Sequence, residues 1–292
     1  MRILHCSDLH HLPRLRSVPV SDWLGKRATG ALNLWRERKA QFELTPKKLE
    51  KLAEFARAQA VDAVLCTGDY TLWGTEAEFL VARSAVQPLI DASPTFVTVP
   101  GNHDIYTHRV VGERRFERHF GDLLHSDLAD AAVDGPWPLV RFLDPGAVAI
   151  AVNSAIPHWV PWKASGHIPE GQLEALRQLL RDPEIRRRFV FVMTHHAPRL
   201  ADGSRDSPHH GIGNAEDFLD VCSDIRAGAV LFGHVHRTYR LTLPELDATL
   251  FNSGSATLLG REGLWLFDIE ARKIVARRGK WDEDHYVLEA SR

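Results

Sequence analysis

Residues 227–236 read AGAVLFGHVH. An apolar run from Ala227 to Phe232 stops at Gly233 and releases two histidines, His234 and His236. A short continuous apolar run ended by glycine reads as a strand buried on both faces. The chain carries 16 histidines, so a close pair alone could be chance. The same pattern recurs, however. RILHC (2–6) runs into Ser7-Asp8, DAVLC (62–66) into Thr67-Gly68-Asp69, and PTFVTV (94–99) into Pro100-Gly101-Asn102. VAIAV (148–152) and FVFVM (189–193) end in polar corners too.

Helical patterns lie between these runs. TPKKLEKLAEFARAQ (45–59) places Leu49, Leu52, Phe55 and Ala56 on one face, with Thr45 as the expected cap and Pro46 in the first turn. TEAEFLVARSAVQPLI (75–90), PEGQLEALRQLLRD (169–182) and NAEDFLDVCSDI (214–225), the last opening on an expected Asn214 cap, behave alike. Strands alternating with helices predict an α/β layered domain. After about residue 237 the chain becomes mainly β, through YRLTLPELDATLFNSGSA, EGLWLFDIE and KIVARRGKW. No linker-like stretch separates the two parts, which favours a single domain over residues 1–292 with two sheets packed together.

Composition bounds the function. With 44% hydrophobic and 25% charged residues, the 292-residue chain is ordinary globular protein. A net charge of −2 provides no global attraction to nucleic acid or anionic membrane. Cys6, Cys66 and Cys222 lie in or beside apolar runs, without metal spacing. They read as reduced core thiols. No apolar stretch reaches the roughly 18 residues of a membrane span, and MRILHCSDLH lacks the apolar core of a signal peptide. The expected location is cytoplasmic.

The polar corners collect Asp8 and His10, then Asp69, then Asn102, His103 and Asp104, then His195 and His196, then His234 and His236. Ligands of open α/β sheets bind beyond the carboxyl ends of strands, so these residues should converge on one edge. Carboxylate, imidazole and amide oxygen together suit Zn, Mn, Fe or Co. They are too many for one tetrahedral ion but enough for two bridged ions roughly 3.5–4 Å apart. Taken singly, each corner also fits a plain structural role: Asp69 after Gly68 as a turn, Asn102 as a helix cap.

As an ordered set, Asp8-x-His10, Gly68-Asp69, Gly101-Asn102-His103-Asp104, His195 and Gly233-His234-x-His236 resemble the five signature blocks of the calcineurin-like metallophosphoesterase superfamily. The blocks span residues 8 to 236. Their GNHD and GHxH forms look most similar to the class III cyclic-nucleotide phosphodiesterase and glycerophosphodiesterase branch. The resemblance implies a four-layer αββα sandwich of two mixed sheets and a dinuclear centre of Mn, Fe or Zn. It implies Asp8, His10 and His236 on one ion, Asn102, His195 and His234 on the other, and Asp69 bridging. His103 would face the substrate phosphate and protonate the leaving oxygen, with Asp104 orienting it. The implied activity is phosphodiester hydrolysis by a metal-bridging hydroxide. Alternatives are a phosphomonoesterase, a nucleotide-linked lipid pyrophosphohydrolase, or a catalytically silent metal-binding scaffold. His195 is taken as the ligand of its pair. His196, His209 and His210 are candidate substrate contacts, while His5, His11 and His108 are expected to be packing or surface residues.

A long connection, about residues 12–44, emerges beside the first motif. Its Leu24, Ala28, Ala31, Leu32 and Trp35 share a helical face ringed by Lys26, Arg27, Arg36, Arg38 and Lys39. It reads either as a cap over the pocket, suited to an amphiphilic phosphoester, or as a helix packed on its own domain. Membrane-surface contact is a third, less favoured reading. The expected partner is a small phosphoester rather than nucleic acid, and the oligomeric state is open.

Overall fold

The computed structural model describes residues 1–12, 39–144, 146–160, 162–270 and 272–290. The helical face expected at Leu24–Trp35 therefore lies outside the described residues.

Among the described residues, twelve strands form two six-stranded mixed sheets. The first sheet contains β1 (Arg2–Cys6), β2 (Ala63–Cys66), β3 (Thr95–Thr98), β10 (Leu264–Glu270), β11 (Lys273–Asp282) and β12 (His285–Leu288), in the order β12-β11-β10-β1-β2-β3. The second contains β4 (Leu139–Asp144), β5 (Ala147–Ala151), β6 (Phe189–Met193), β7 (Gly228–Phe232), β8 (Thr238–Leu241) and β9 (Thr249–Ser253), in the order β4-β5-β6-β7-β9-β8. β1, β2 and β3 run parallel, as do β5, β6, β7 and β9. Antiparallel strands flank each parallel group.

Four longer helices cover the outside: α1 (Thr45–Ala58), α2 (Glu76–Ile90), α3 (Glu170–Arg181) and α4 (Ala215–Cys222). α1 and α2 bury Leu49, Leu52, Phe79 and Val86 with the first sheet. α3 and α4 bury Leu173, Leu176, Phe218 and Leu219 against the second. The result is the four-layer αββα arrangement. The period-2 rule of strands explains how a fully apolar strand serves two layers. Ala147, Ala149, Phe189, Phe191, Ala229 and Leu231 face the core between the sheets. Their neighbours Val148, Ile150, Val190, Val192 and Val230 face the helices. Continuous apolar sequence at these strands follows from burial on both sides.

Two local expectations differ. Thr45 is the first residue of α1, not its cap; Leu44 holds the cap position and the Thr45 hydroxyl is buried without a partner. Asn214 does stand at the cap of α4, but its side chain caps nothing. Its Oδ1 accepts from the Ile168 N–H and its Nδ2 donates to the Ile168 carbonyl, tying α4 to the segment before α3. The strands after residue 237 are divided between the two sheets. β8 and β9 complete the second sheet, while β10 to β12 complete the first.

Candidate metal centre

The carboxyl ends of β1, β2, β3, β6 and β7 open on one cavity of about 370 Å³. His10, Asp69, Asn102, His103, His210, His234 and His236 line it, with Phe42, Leu72, Leu200 and Val235 as apolar wall. A larger surface hollow of about 830 Å³ lies between α3 and α4. Its Glu170, Glu174, Arg177 and Asp217 make no convergent ligand set, so the chemistry belongs to the smaller cavity.

The first two loops run side by side as an extension of the β1–β2 ladder. Asp8, His10 and His11 donate their N–H groups to the carbonyls of Gly68, Asp69 and Tyr70, each at 2.9 Å. Asp8 Oδ1 lies 2.9 Å from His236 Nε2 and 3.5 Å from His10 Nε2, and those two nitrogens are 3.1 Å apart. Asn102 Oδ1 lies 3.1 Å from His195 Nε2 and 2.9 Å from His234 Nδ1. Between these groups stands Asp69, whose Oδ2 is 3.3 Å from His195 Nε2 and 3.9 Å from His10 Nε2. Asp8, His10 and His236 form one group that could hold a metal ion; Asp8, Asp69 and His195 form another.

The donor set fits cations on three counts. First, Asp8 and Asp69 are 0% and 1% exposed, and among the described residues their only ion-pair partners are histidines. Two buried carboxylates need compensating positive charge. Second, burial opposes charge on His195, yet Asp69, Asp8 and the Thr67 carbonyl together outweigh it and lift the imidazole to about 9. Burial likewise opposes charge on Asp8 and Asp69, but the surrounding histidines keep both carboxyls below the usual range. Third, three imidazoles have one nitrogen committed to a backbone carbonyl. His10 Nδ1 donates to Thr71 at 3.2 Å, His195 Nδ1 to Thr67 at 2.7 Å and His234 Nε2 to His210 at 2.8 Å. In the neutral ring the other nitrogen then carries a lone pair aimed into the cluster, the arrangement by which outer partners orient metal-binding histidines.

The backbone is bent to achieve this. Asp8, His10, Asp69, His234 and His236 have φ of 55°, 36°, 60°, 72° and 48°. Only four other non-glycine residues among those described share the left-handed region. Such residues cost of order 1–3 kcal/mol each and persist where the surroundings over-determine them. At β7 the bend separates the two rings of the GHVH corner, sending His234 to Asn102 and His236 to Asp8.

His103 lines the cavity. Its Nδ1 donates to the Leu72 carbonyl at 2.7 Å, and burial holds the ring down to about 4 against the pull of Asp69. Asp104 does not touch His103. Its carboxylate accepts instead from the N–H groups of Asp69, Tyr70, Thr71 and Gly101 at 2.9–3.0 Å and from the Thr71 hydroxyl at 3.1 Å. Those donors occupy it completely, so Asp104 shapes the Asp69 loop rather than the His103 ring. Asp104→Ala would strand four backbone donors, an expected loss of about 2–4 kcal/mol. Metal affinity should fall about 10–100-fold. Asp104→Asn, which keeps an amide oxygen, should lose less of both in thermal unfolding and metal titration.

Of the remaining histidines, His196 is fully buried and has no nitrogen left for a substrate. Ser154 Oγ meets its Nδ1 at 2.8 Å and its Nε2 donates to the Ala164 carbonyl at 3.0 Å. His209 is exposed and does not line the cavity. His210 does line it, with its Nδ1 2.5 Å from Asp206 Oδ2. His5 is packed in the core, His11 is buried, and His108 is on the surface.

Several contributors went unread in the sequence. Ser255 donates to the Asp8 carbonyl at 2.6 Å, Thr257 to the Leu9 carbonyl at 2.7 Å, and Asn252 to the Gly233 carbonyl at 2.6 Å. The signal was present: ATLF running into NSGSA is one more apolar strand ending in a polar, glycine-bearing corner. Phe42, Leu72, Leu200, Asp206 and Val235 carry no comparable signal.

Comparison with solved structures finds the same fold in two phosphatases. A dimetal phosphatase from Danio rerio is similar over 99% of this chain and 98% of its own, with a TM-score of 0.65 at 14% identity. A purple acid phosphatase from yellow lupin seeds is similar over 99% of this chain, with a TM-score of 0.63 at 10% identity; this chain spans about half of it, 52%. No curated protein matches the sequence. The family model described as calcineurin-like phosphoesterase matches residues 1–238, and the chain belongs to that family.

Proposed function

We propose that this protein is a metal-dependent hydrolase of phosphodiesters, with residues 1–292 as one metallophosphoesterase unit. The observation that carries this is the meeting of two donor groups at Asp69 inside one cavity. Asp8, His10 and His236 would hold one ion and Asn102, His195 and His234 the other, with Asp69 between them. Mn, Fe and Zn all suit these donors. When bound, the ions supply charge neutralisation on the phosphoryl oxygens and an acidified water.

The chain's own residues do the rest. His103, its Nδ1 fixed by Leu72, lines the cavity, where its other ring nitrogen would exchange a proton with the leaving oxygen. Diester is favoured over monoester by charge. No lysine or arginine lines the cavity among the described residues, and its wall includes Phe42, Leu72, Leu200 and Val235. Among the described residues a dianionic monoester would find no cationic side-chain partner there, whereas a singly charged diester with two organic groups meets apolar wall.

Manganese-loaded protein is expected to hydrolyse bis(p-nitrophenyl) phosphate and to bind two ions per chain. His236→Ala should lose the ion held with Asp8, and His234→Ala the ion held with Asn102, each variant retaining about one ion. Loss of the same ion from both would contradict the assignment. Absence of turnover on any phosphate ester would remove the activity.

A further inference from the structure

We propose that Glu78 is a positioning residue for His103, acting through the one peptide group between Leu72 and Trp73. Its consequence for turnover rests on the phosphodiesterase reading above; its hold on the ring does not.

Glu78 stands in the first turn of α2, three residues after the Thr75 cap. A capping box accounts for part of its bonding. Its Oε2 accepts the Thr75 N–H at 2.8 Å, and the Thr75 hydroxyl accepts the Glu78 N–H at 3.2 Å. The other oxygen does something else. Oε1 accepts the N–H groups of Leu72 and Trp73, each at 3.1 Å. Those two residues lie outside the helix, and Leu72 lines the cavity. Glu78 is 0% exposed. A helix cap works as well at the surface, whereas a buried carboxylate is costly unless its bonds are needed.

Peptide geometry supplies the need. The N–H and C=O of a trans peptide share a plane and point in opposite directions. The Trp73 N–H and the Leu72 carbonyl belong to the same peptide, which is trans. With its N–H turned to Glu78, that peptide turns its oxygen the other way, where it accepts the His103 Nδ1–H at 2.7 Å. Carboxylate, peptide and imidazole thus form one line of hydrogen bonds, in which each bond polarises the next. Rotation of this single peptide would release Nδ1 and free the choice of tautomer.

The surroundings hold the line in place. A Cβ at Gly74 would stand 3.2 Å from the His103 carbonyl oxygen, so the turn lies directly on the His103 backbone. Tyr106 stacks on the His103 ring with centroids 5.8 Å apart. Glu78 thereby takes the part expected of Asp104, whose carboxylate is engaged by other donors. Burial pushes the Glu78 carboxyl up to about 7 against the pull of its own donors. Comparisons therefore belong at about pH 8, where the carboxylate prevails.

Nitrogen NMR of zinc-loaded protein with isotopically labelled histidine rings gives the first readout. The His103 signals, identified by their loss in His103→Asn, should show Nδ1 protonated. In Glu78→Ala they should move to those of a ring exchanging between tautomers. Glu78→Gln, with an amide oxygen in place of Oε1, should restore most of the native pattern. Thr75→Ala weakens the same helix end but leaves the Trp73 bond, so it should lower the unfolding midpoint without moving these signals.

Turnover gives the second readout. The leaving group of methyl 4-nitrophenyl phosphate departs readily without a proton, whereas that of methyl phenyl phosphate depends on one. Glu78→Ala should lower kcat on the phenyl ester about tenfold more than on the nitrophenyl ester, a part of the roughly 10²–10⁴-fold that a positioned acid contributes. A native His103 pattern in Glu78→Ala, an equal change in Thr75→Ala, or equal loss on the two esters overturns the proposal. Should Glu78→Ala not fold, Glu78→Asp, one methylene short of Trp73, carries the same expectations. If no ester is hydrolysed at all, the phosphodiesterase reading falls and the ring signals alone decide whether Glu78 positions His103.

Discussion

Replacing Asp69 with alanine is expected to lower phosphodiester hydrolysis by on the order of 10³-fold and to empty both metal positions, or leave one weakly filled. Among the described residues, no other side chain stands between the two groups. Its Oδ2 faces His195 at 3.3 Å and His10 at 3.9 Å, while its Oδ1 accepts the His103 N–H at 2.9 Å. Removing it takes away one of the two carboxylates that face the histidine cluster, a contact that helps lift His195, and the anchor of the His103 backbone at once. Asp69→Asn keeps the shape and the hydrogen bond but not the charge. It separates the two contributions: if charge dominates, it should lose metal nearly as completely as alanine, measured by equilibrium dialysis with metal analysis. Two tightly bound ions in the alanine variant would show that Asp69 is not the shared group.

The largest stability effect is expected at Gly68, with alanine costing about 3 kcal/mol or more and lowering the unfolding midpoint by on the order of 10 °C. Gly68 combines two demands. Its φ is +93°, outside the range that side-chain-bearing residues readily adopt. A Cβ would also stand 2.6 Å from the Gly101 nitrogen and 2.7 Å from the Val99 carbonyl oxygen. These obstacles are backbone on the neighbouring strand end, so no side chain can swing aside. Relief requires parting the β2 and β3 corners, which would move Asp69 from Asn102 and should reduce metal binding as well. Gly203 is the control: it also has positive φ, +83°, but nothing lies within 4 Å of its Cβ position. Gly203→Ala should therefore show the conformational cost without the collision. Equal destabilisation of the two variants would remove the crowding explanation.

Much of this centre was legible because its chemistry is confined to strand ends. Apolar runs of five or six residues announce buried strands, and each of Asp8, Asp69, Asn102, His195 and His234 falls within three residues of such a run. The structure brings them together on one edge, which is what a parallel arrangement does to the carboxyl ends of its strands. Other features were not legible. Asp104 was expected to hold His103, but sequence adjacency does not determine where a carboxylate points, and four backbone donors claimed it first. His196 resembles its neighbour His195 in type and place, yet successive residues at the end of a strand turn opposite ways. One ring enters the cluster and the other packs under Ala164. The division of the last five strands between two sheets was equally hidden, since an apolar strand carries little information about which edge it will join.

By itself, then, the sequence determined the alternation of strands and helices, the polar corners, and the kinds of donor atom available at each. Burial on both faces requires long apolar runs, and metal binding requires particular side-chain types, so both leave marks in composition and spacing. Only the tertiary structure decided which nitrogen of each imidazole faces the cluster. That choice is made by the carbonyls of Thr67, Thr71 and His210, which arrive from other loops. Every residue has a carbonyl, so no sequence pattern distinguishes these three. Their position, and with it the direction of the lone pairs, exists only once the loops beyond β1, β2, β6 and β7 have been folded against one another.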